Sequence, residues 1–224
     1  MPRLARIVFA GVPHHITQRG NRREDVFYVE EDYRTYLEWL SHYSQQHQLE
    51  ILAYCRMTNH IHLVAVPARE SSLQQVLKPL HMRYAQRINR IMKWSGHFWQ
   101  GRYFSSPMDE RYMWSAIRYV ERNPVRARMV RKAEDYPWSS AANHCGRADD
   151  RVLSKNLRWK KLIEQVDDWS AWLTEGDDPS ELTMIRRNIE KGLPCGSDRF
   201  IKNLEKKIGR SLQYRPQGRP PRDD

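Results

Sequence analysis

Cysteine is scarce in this chain of 224 residues: there are three, at positions 55, 145 and 195, and no two form a C-x-x-C pair. An odd, scattered set argues against a disulfide framework and against a zinc ribbon. Long apolar runs are missing as well. None approaches the ~20 residues that span a bilayer, and the opening "MPRLARIVFAGVPHHITQRGN" has too short an apolar segment for a secretory signal. A cytoplasmic protein without a membrane partner is expected. Internal repeats and low-complexity tracts are absent too. A hydrophobic fraction of 40% with 11% aromatics is that of a folded globular chain, and the length allows one substantial core with an appendage.

What the chain has in excess is positive charge, +11 net, and it is unevenly placed. Residues 1–77 are neutral, with eight basic and eight acidic side chains. Residues 78–132 carry thirteen basic against three acidic, residues 133–183 six against eleven, and residues 184–224 eleven against five. A surface that served solubility alone would mix the signs. One block holding nearly all of the excess suits a surface that neutralises phosphates, so nucleic acid is the expected partner.

Hydrophobic periodicity sets out the elements. "HHITQR" (14–19) reads as a strand ended by Gly20 and Asn21. A helix follows over 30–48, with acidic residues in its first turn and Tyr33, Tyr36, Leu37, Leu40 and Tyr43 at helical spacing. "LEILAYCRM" and "HIHLVAVP" are strands joined by a tight "TN". The stretch from Ser71 to Met92 is a helix with its stripe at Leu73, Val76, Leu77, Leu80, Tyr84, Ile88 and Ile91, and Pro79 is expected to kink it. "GHFWQGRYFSSPMD" supplies a fourth strand, and "DERYMWSAIRYVERN" a helix that stops near Asn123, before Pro124. The order β-α-β-β-α-β plus a helix is that of an α+β protein with a ferredoxin-like split βαβ sheet, helices on one face and the other face open. Acidic, Trp-bearing helices and loops over 147–183 and a capped basic amphipathic helix in "GSDRFIKNLEKKIGRSL" make a mainly helical C-terminal extension.

The third strand raises a chemical question. In "TNHIHLV" (58–64), His60 and His62 share one face while Ile61 and Leu63 take the other. The pair is either a metal half-site or the wet face of a half-buried strand. On the helix before Pro124, Tyr119 and Asn123 are four residues apart and lie along the edge of the stripe Met113, Ala116, Ile117, Val120. A phenol and a carboxamide oxygen placed there can stand over the two imidazoles. Two nitrogens and one oxygen leave coordination positions open, as Lewis-acid catalysis requires. Tyr112 is the one rival phenol on that helix face.

"NHIHLV", "RYVERNPVRARMV", "PHHITQRGNRR" and "GHFWQGRYFS" together resemble the REP-associated tyrosine transposases, members of the HUH single-tyrosine class. The similarity runs in order through residues 3–142, and "GLPCGSDRFIKNLEKKIGRSL" is similar to a C-terminal segment that some members carry. The resemblance implies a catalytic domain over 1–142 and an accessory DNA-binding extension over 143–224. It implies a metal-dependent endonuclease and strand transferase acting on single-stranded DNA that folds into hairpins, the repeated extragenic palindromes (REPs). His60 and His62 would then be metal ligands, Asn123 the third ligand and Tyr119 the nucleophile, forming a 5′-phosphotyrosine with Mg²⁺ or Mn²⁺ as cofactor. Many relatives carry Gln where this chain has Asn123. The implied setting is the nucleoid, as a monomer or homodimer.

Candidate DNA contacts are Arg19, Asn21, Arg22 and Arg23 after the first strand, Arg83 and Arg87 in the basic block, Trp99, Arg102 and Tyr103 in an aromatic-basic stretch, and Arg118, Arg122 and Arg126 beside the candidate nucleophile. His14 and His15, neighbours in a strand, point opposite ways and are expected to line a groove. Two other readings remain: a DNA-hairpin binder that has lost turnover, and a relaxase or replication-initiator type of nicking enzyme. The intact set of His60, His62, Tyr119 and Asn123 disfavours the first, and the lack of a helicase or primase module the second.

Overall fold

The computed structural model describes residues 6–214. Four antiparallel strands form one sheet: β1 (His14–Arg19), β2 (Leu49–Arg56), β3 (His60–Pro67) and β4 (Phe104–Pro107), in the spatial order β2-β3-β1-β4. With α1 (Glu30–Gln46) and α2 (Ser72–Met92) as crossovers, this is the split βαβ topology. The fourth strand is shorter than expected. Only residues 104–107 pair with β1, and the chain from 96 to 103 is bent and irregular, touching the sheet through a single bridge between Gly20 and Trp99. Helix α2 runs through Pro79 without interruption.

Alternation along the strands sorts the sheet into two cores. Ile16, Ile51, Tyr54, Ile61, Leu63 and Ala65 face α1 and α2. Leu52, Ala53, Cys55, Val64 and Val66 face the other way. A bulge between Ile51 and Ala53 places Leu52 and Ala53 on the same side and restores the alternation afterwards. The second face is not open. It is covered by α3 (Glu110–Glu121), by α7 (Trp169–Thr174) and by α8 (Pro179–Lys191), with Met113, Ile117 and Val120 of α3 fully buried. The acidic, Trp-bearing segment supplies that cover: Trp159, Trp169 and Leu173 are buried in the second core. A third, smaller cluster joins Ile7 and Phe9 to Leu204 of α9 (Asp198–Ile208) and to Leu212.

Caps explain where the helices begin. Asp32 accepts from the backbone N–H groups of Tyr28 and Val29, and its other oxygen holds Arg87 at 2.8 Å. Asp109 accepts from Tyr112 N–H to start α3, and its second oxygen takes Ser197 N–H before α9. Pro124 ends α3 as expected. The chain resumes a short α4 (Asn123–Arg126), where proline is tolerated in the first turn. Two short helices follow, α5 (Ala141–His144) and α6 (Leu157–Ile163). Gly20 closes β1 where no side chain fits: a Cβ there would lie 2.2 Å from the Glu24 carbonyl oxygen. Among the described residues no helix is long and apolar enough to cross a membrane.

Candidate active site

The register of β1 against β3 sets the site. Thr17 lies opposite His62 and Arg19 opposite His60, and His15 is diagonal to His62. All five share the face that α3 covers. The His62 ring stacks on His15 with centroids 5.1 Å apart and meets His60 edge-on at 4.9 Å. Tyr119, half-buried on α3, stands edge-on to two of these rings, 5.5 Å from His62 and 5.8 Å from His15. The phenol and the paired imidazoles of one chain are therefore together. Tyr112, the rival phenol, packs at the edge of the second core as Tyr119 does, but it is Tyr119 whose ring meets the imidazoles.

Each imidazole of the pair has a partner at Nδ1. His62 Nδ1 lies 2.9 Å from His15 Nε2, and His60 Nδ1 lies 2.6 Å from Asn59 Oδ1. Asn59 Nδ2 in turn donates to the Arg23 carbonyl at 3.0 Å. Burial, and secondarily Arg19, pushes the His60 pKa down to about 4. Burial and then Arg126 push His15 down to about 3. His62 is held well below its usual value by burial first, then by His60, His15, Arg126 and Arg19. All three rings are neutral at pH 7, which is the protonation state a metal ligand needs.

The donor set fits a divalent cation. Nε2 of His60 is left for it, and Nε2 of His62 is left for it when His62 Nδ1 is the donor to His15. Asn123 follows Tyr119 by four residues at the start of α4, and its amide nitrogen is buried with no hydrogen-bond partner among the described residues. That NH2 group can only donate a hydrogen bond; if Asn123 holds a cation, its amide oxygen must do so. Among the described residues no three His, Cys, Asp or Glu converge on one point. A closed structural zinc site is thus not what these residues build; two imidazoles and an amide suit an open site for Mg²⁺ or Mn²⁺.

Two sets of contacts hold Tyr119 in place. The Arg126 guanidinium lies 4.2 Å from its ring centroid and donates to its carbonyl oxygen, while Arg186 of α8 lies 5.7 Å from the same ring. Two residues further on, Glu121 is fully buried. Trp169 Nε1 donates to it at 2.8 Å, His144 Nδ1 lies 2.6 Å away, and Ser140 donates to it as well. His144 is thereby a structural partner of Glu121.

The sequence-derived DNA contacts separate into four groups. Arg19, Asn21, Arg22 and Arg23 lie beside the histidines, with Arg22 and Arg23 exposed on a turn that Asn59 ties to His60. Arg102 is exposed on a groove of about 550 Å³ along the edge strand β4, together with Arg6, Phe104 and Lys191. The structure does not bring the remaining residues of the first core side to the site. Arg83 stacks on Trp39 on the α1–α2 side, Arg87 is bound to the buried Asp32, Trp99 donates to the His81 carbonyl, and Tyr103 is buried beneath Arg6. Arg118, Arg122 and Arg126 do lie around Tyr119, but their charges are engaged. Arg118 pairs with Glu175 at 2.8 Å, and Asp177 lies 2.9 Å from Arg122 and 3.4 Å from Arg126. His14 and His15 do point opposite ways, but both are buried and neither lines a groove. Asn59 and Asp177 are site residues that sequence reasoning passed over, and His15 is one it assigned to a groove instead. Asn59 stands inside the quoted "TNHIHLV" and was visible; the other two depend on register and on long-range packing.

A family model of IS200-like transposases matches residues 9–123 of this chain. Among solved structures, a REP-associated tyrosine transposase bound to a REP hairpin is similar in fold: 15% identical, with 70% of this chain and 93% of that chain covered at a TM-score of 0.52. A protein of Deinococcus radiodurans R1, provisionally named a transposase, is 19% identical over 58% of this chain and 92% of that one, at a TM-score of 0.37. No curated protein matches the chain.

Proposed function

The chain belongs to the IS200-like transposase family, and from that premise we propose that it cuts and rejoins single-stranded hairpin DNA through a covalent bond to Tyr119. One observation carries the reading: the Tyr119 ring lies 5.5 Å from His62 of the same chain. The likeness in fold to a transposase bound to a REP hairpin supports palindromic, hairpin-forming DNA as the substrate.

In this reading the Tyr119 oxygen attacks the scissile phosphorus, loses its proton as the new O–P bond forms, and expels a protonated 3′-hydroxyl. The 5′ end is left on the tyrosine. Because the phosphodiester energy is kept in that bond, the same hydroxyl or another can reverse the step without ATP. His60, His62 and Asn123 would hold a divalent cation, which supplies Lewis-acid polarisation of the phosphate and neutralises charge that develops on it. Arg126 fixes the phenol ring, and Arg19, across the ladder from His60, adds positive charge at the place where the phosphate must lie. The turn bearing Arg22 and Arg23 would guide the strand to the site.

A 3′-labelled hairpin oligonucleotide with unpaired flanks, incubated with the protein and Mn²⁺, is expected to give a protein-linked fragment on a denaturing gel. The adduct disappears in Tyr119→Phe. A wild-type protein that retains the hairpin in a gel shift but forms no adduct would replace this reading with that of a binder without turnover.

A further inference from the structure

The two candidate ligand rings are oriented from behind, by partners of different character. Asn59 is unambiguous. Its Nδ2 donates to the Arg23 carbonyl, so the oxygen facing His60 Nδ1 can only accept. His60 therefore carries its proton on Nδ1 and keeps a lone pair on Nε2. The partner of His62 is another imidazole, and a neutral imidazole has one donor and one acceptor. One of the two rings must donate across the 2.9 Å contact. If His15 donates, the His62 proton sits on Nε2 and closes that atom to a cation. If His62 donates, its Nε2 is open, and the His15 proton moves to its own Nδ1. That nitrogen is buried with no partner among the described residues. His15 Nδ1 lacks a partner in both arrangements, as an acceptor in the first and as a donor in the second, but only the second leaves His62 Nε2 open, so it is the one a cation selects.

We propose that His15 is a positioning residue of the cation site: it accepts the Nδ1–H of His62, as Asn59 accepts that of His60, and so presents two Nε2 lone pairs to one divalent ion. This rests on the cation reading given above. The proton count balances. His62 loses the proton on Nε2, the shared proton passes from His15 Nε2 to His62 Nδ1, and His15 takes one up on Nδ1.

Two measurements on the full chain test it. In the Mg²⁺-loaded protein, long-range ¹H–¹⁵N correlation of the imidazoles is expected to find His62 and His15 both protonated at Nδ1. Mn²⁺ affinity, read by electron paramagnetic resonance of the free ion, is expected to fall about 10–100-fold in His15→Leu. In His15→Gln, whose amide oxygen can still accept, it stays within about threefold of wild type. His15 found protonated at Nε2 with Mg²⁺ bound, or unchanged Mn²⁺ affinity in His15→Leu, overturns the proposal and leaves the cation site standing. Wild-type protein with no Mn²⁺ binding that depends on His60 and His62 overturns the cation reading and this inference together. The tautomer measurement is made on the wild type and depends on no variant folding.

Discussion

At the scale of single residues, Glu121 shows how the end of α3 that carries Tyr119 is kept in place. Its carboxylate is fully buried two residues beyond Tyr119 and is satisfied from two elements, by Ser140 and His144 at the two ends of α5 and by Trp169 of α7. A buried carboxylate is tolerated only when its oxygens are filled in this way. Glu121→Ala would strand three donors, and a loss of about 3–5 kcal/mol is expected from urea unfolding. Adduct formation should weaken along with stability, since the same contacts orient the end of α3. Little of this was legible beforehand. A glutamate in "RYVERN" reads as a solvated helix residue, because nothing in its neighbourhood reveals partners that lie some 20 to 50 positions downstream. Tyr119 with Asn123, and His60 with His62, could be paired beforehand because each pair is close in the chain, where helix or strand periodicity suggests a shared face; the structure brings His60, His62 and Tyr119 together, while Asn123 begins a separate short helix. His15 was misplaced for the opposite reason: its contact with His62 follows from a pairing register that no local pattern encodes.

At the scale of elements, the segment between α7 and α8 changes the meaning of the basic block. Glu175 and Asp177, with Glu181 on α8, pair with Arg118, Arg122, Arg126 and Arg111 of α3 and α4. Part of the acidic composition of 133–183 thus meets part of the basic composition of 78–132 in one contact. Phosphates would compete with these carboxylates for the same guanidinium groups. The double variant Glu175→Gln/Asp177→Asn should therefore bind single-stranded DNA more tightly at low salt, with a plot of log affinity against log salt steeper by about 1 to 2. Neutralising the exposed Glu70, which has no arginine partner in this set, should leave the slope unchanged. An equal slope in the double variant would mean that these arginines never meet DNA. The strands and first two helices were read within a residue or two from periodicity. The fourth strand was overextended because aromatic residues at 98, 99 and 103 mimic strand composition, while the chain there is bent and irregular up to the start of β4. The cover on the second face was missed because α7 is only six residues long and because a stripe such as that of α8 does not say which surface it will meet.

At the scale of the whole molecule, acid should loosen the fold in a defined window. His14 and His81 are buried neutral, with burial pushing their pKa values down to about 4 and about 3. Unfolded, both titrate near ~6.5. Between these values the unfolded chain binds more protons, so stability rises with pH across the interval. The contribution is complete above about pH 6.5 and is lost as pH falls toward 4. Urea midpoints at pH 7.5 and 4.5 should differ accordingly. In His81→Gln, which can still accept from the Tyr36 hydroxyl, the difference should shrink. A midpoint that does not move between the two pH values would mean that these rings are hydrated in solution.

The short distance between Tyr119 and His62 within one polypeptide has a genetic counterpart. Two defective alleles, Tyr119→Phe and His62→Ala, each lack one half of the chemistry, and mixing their products cannot reassemble it from separate copies. Co-expression should leave cleavage as low as either parent, and turnover should scale in simple proportion to enzyme through dilution. In a shared centre, built half from each of two copies, the same cross would restore activity.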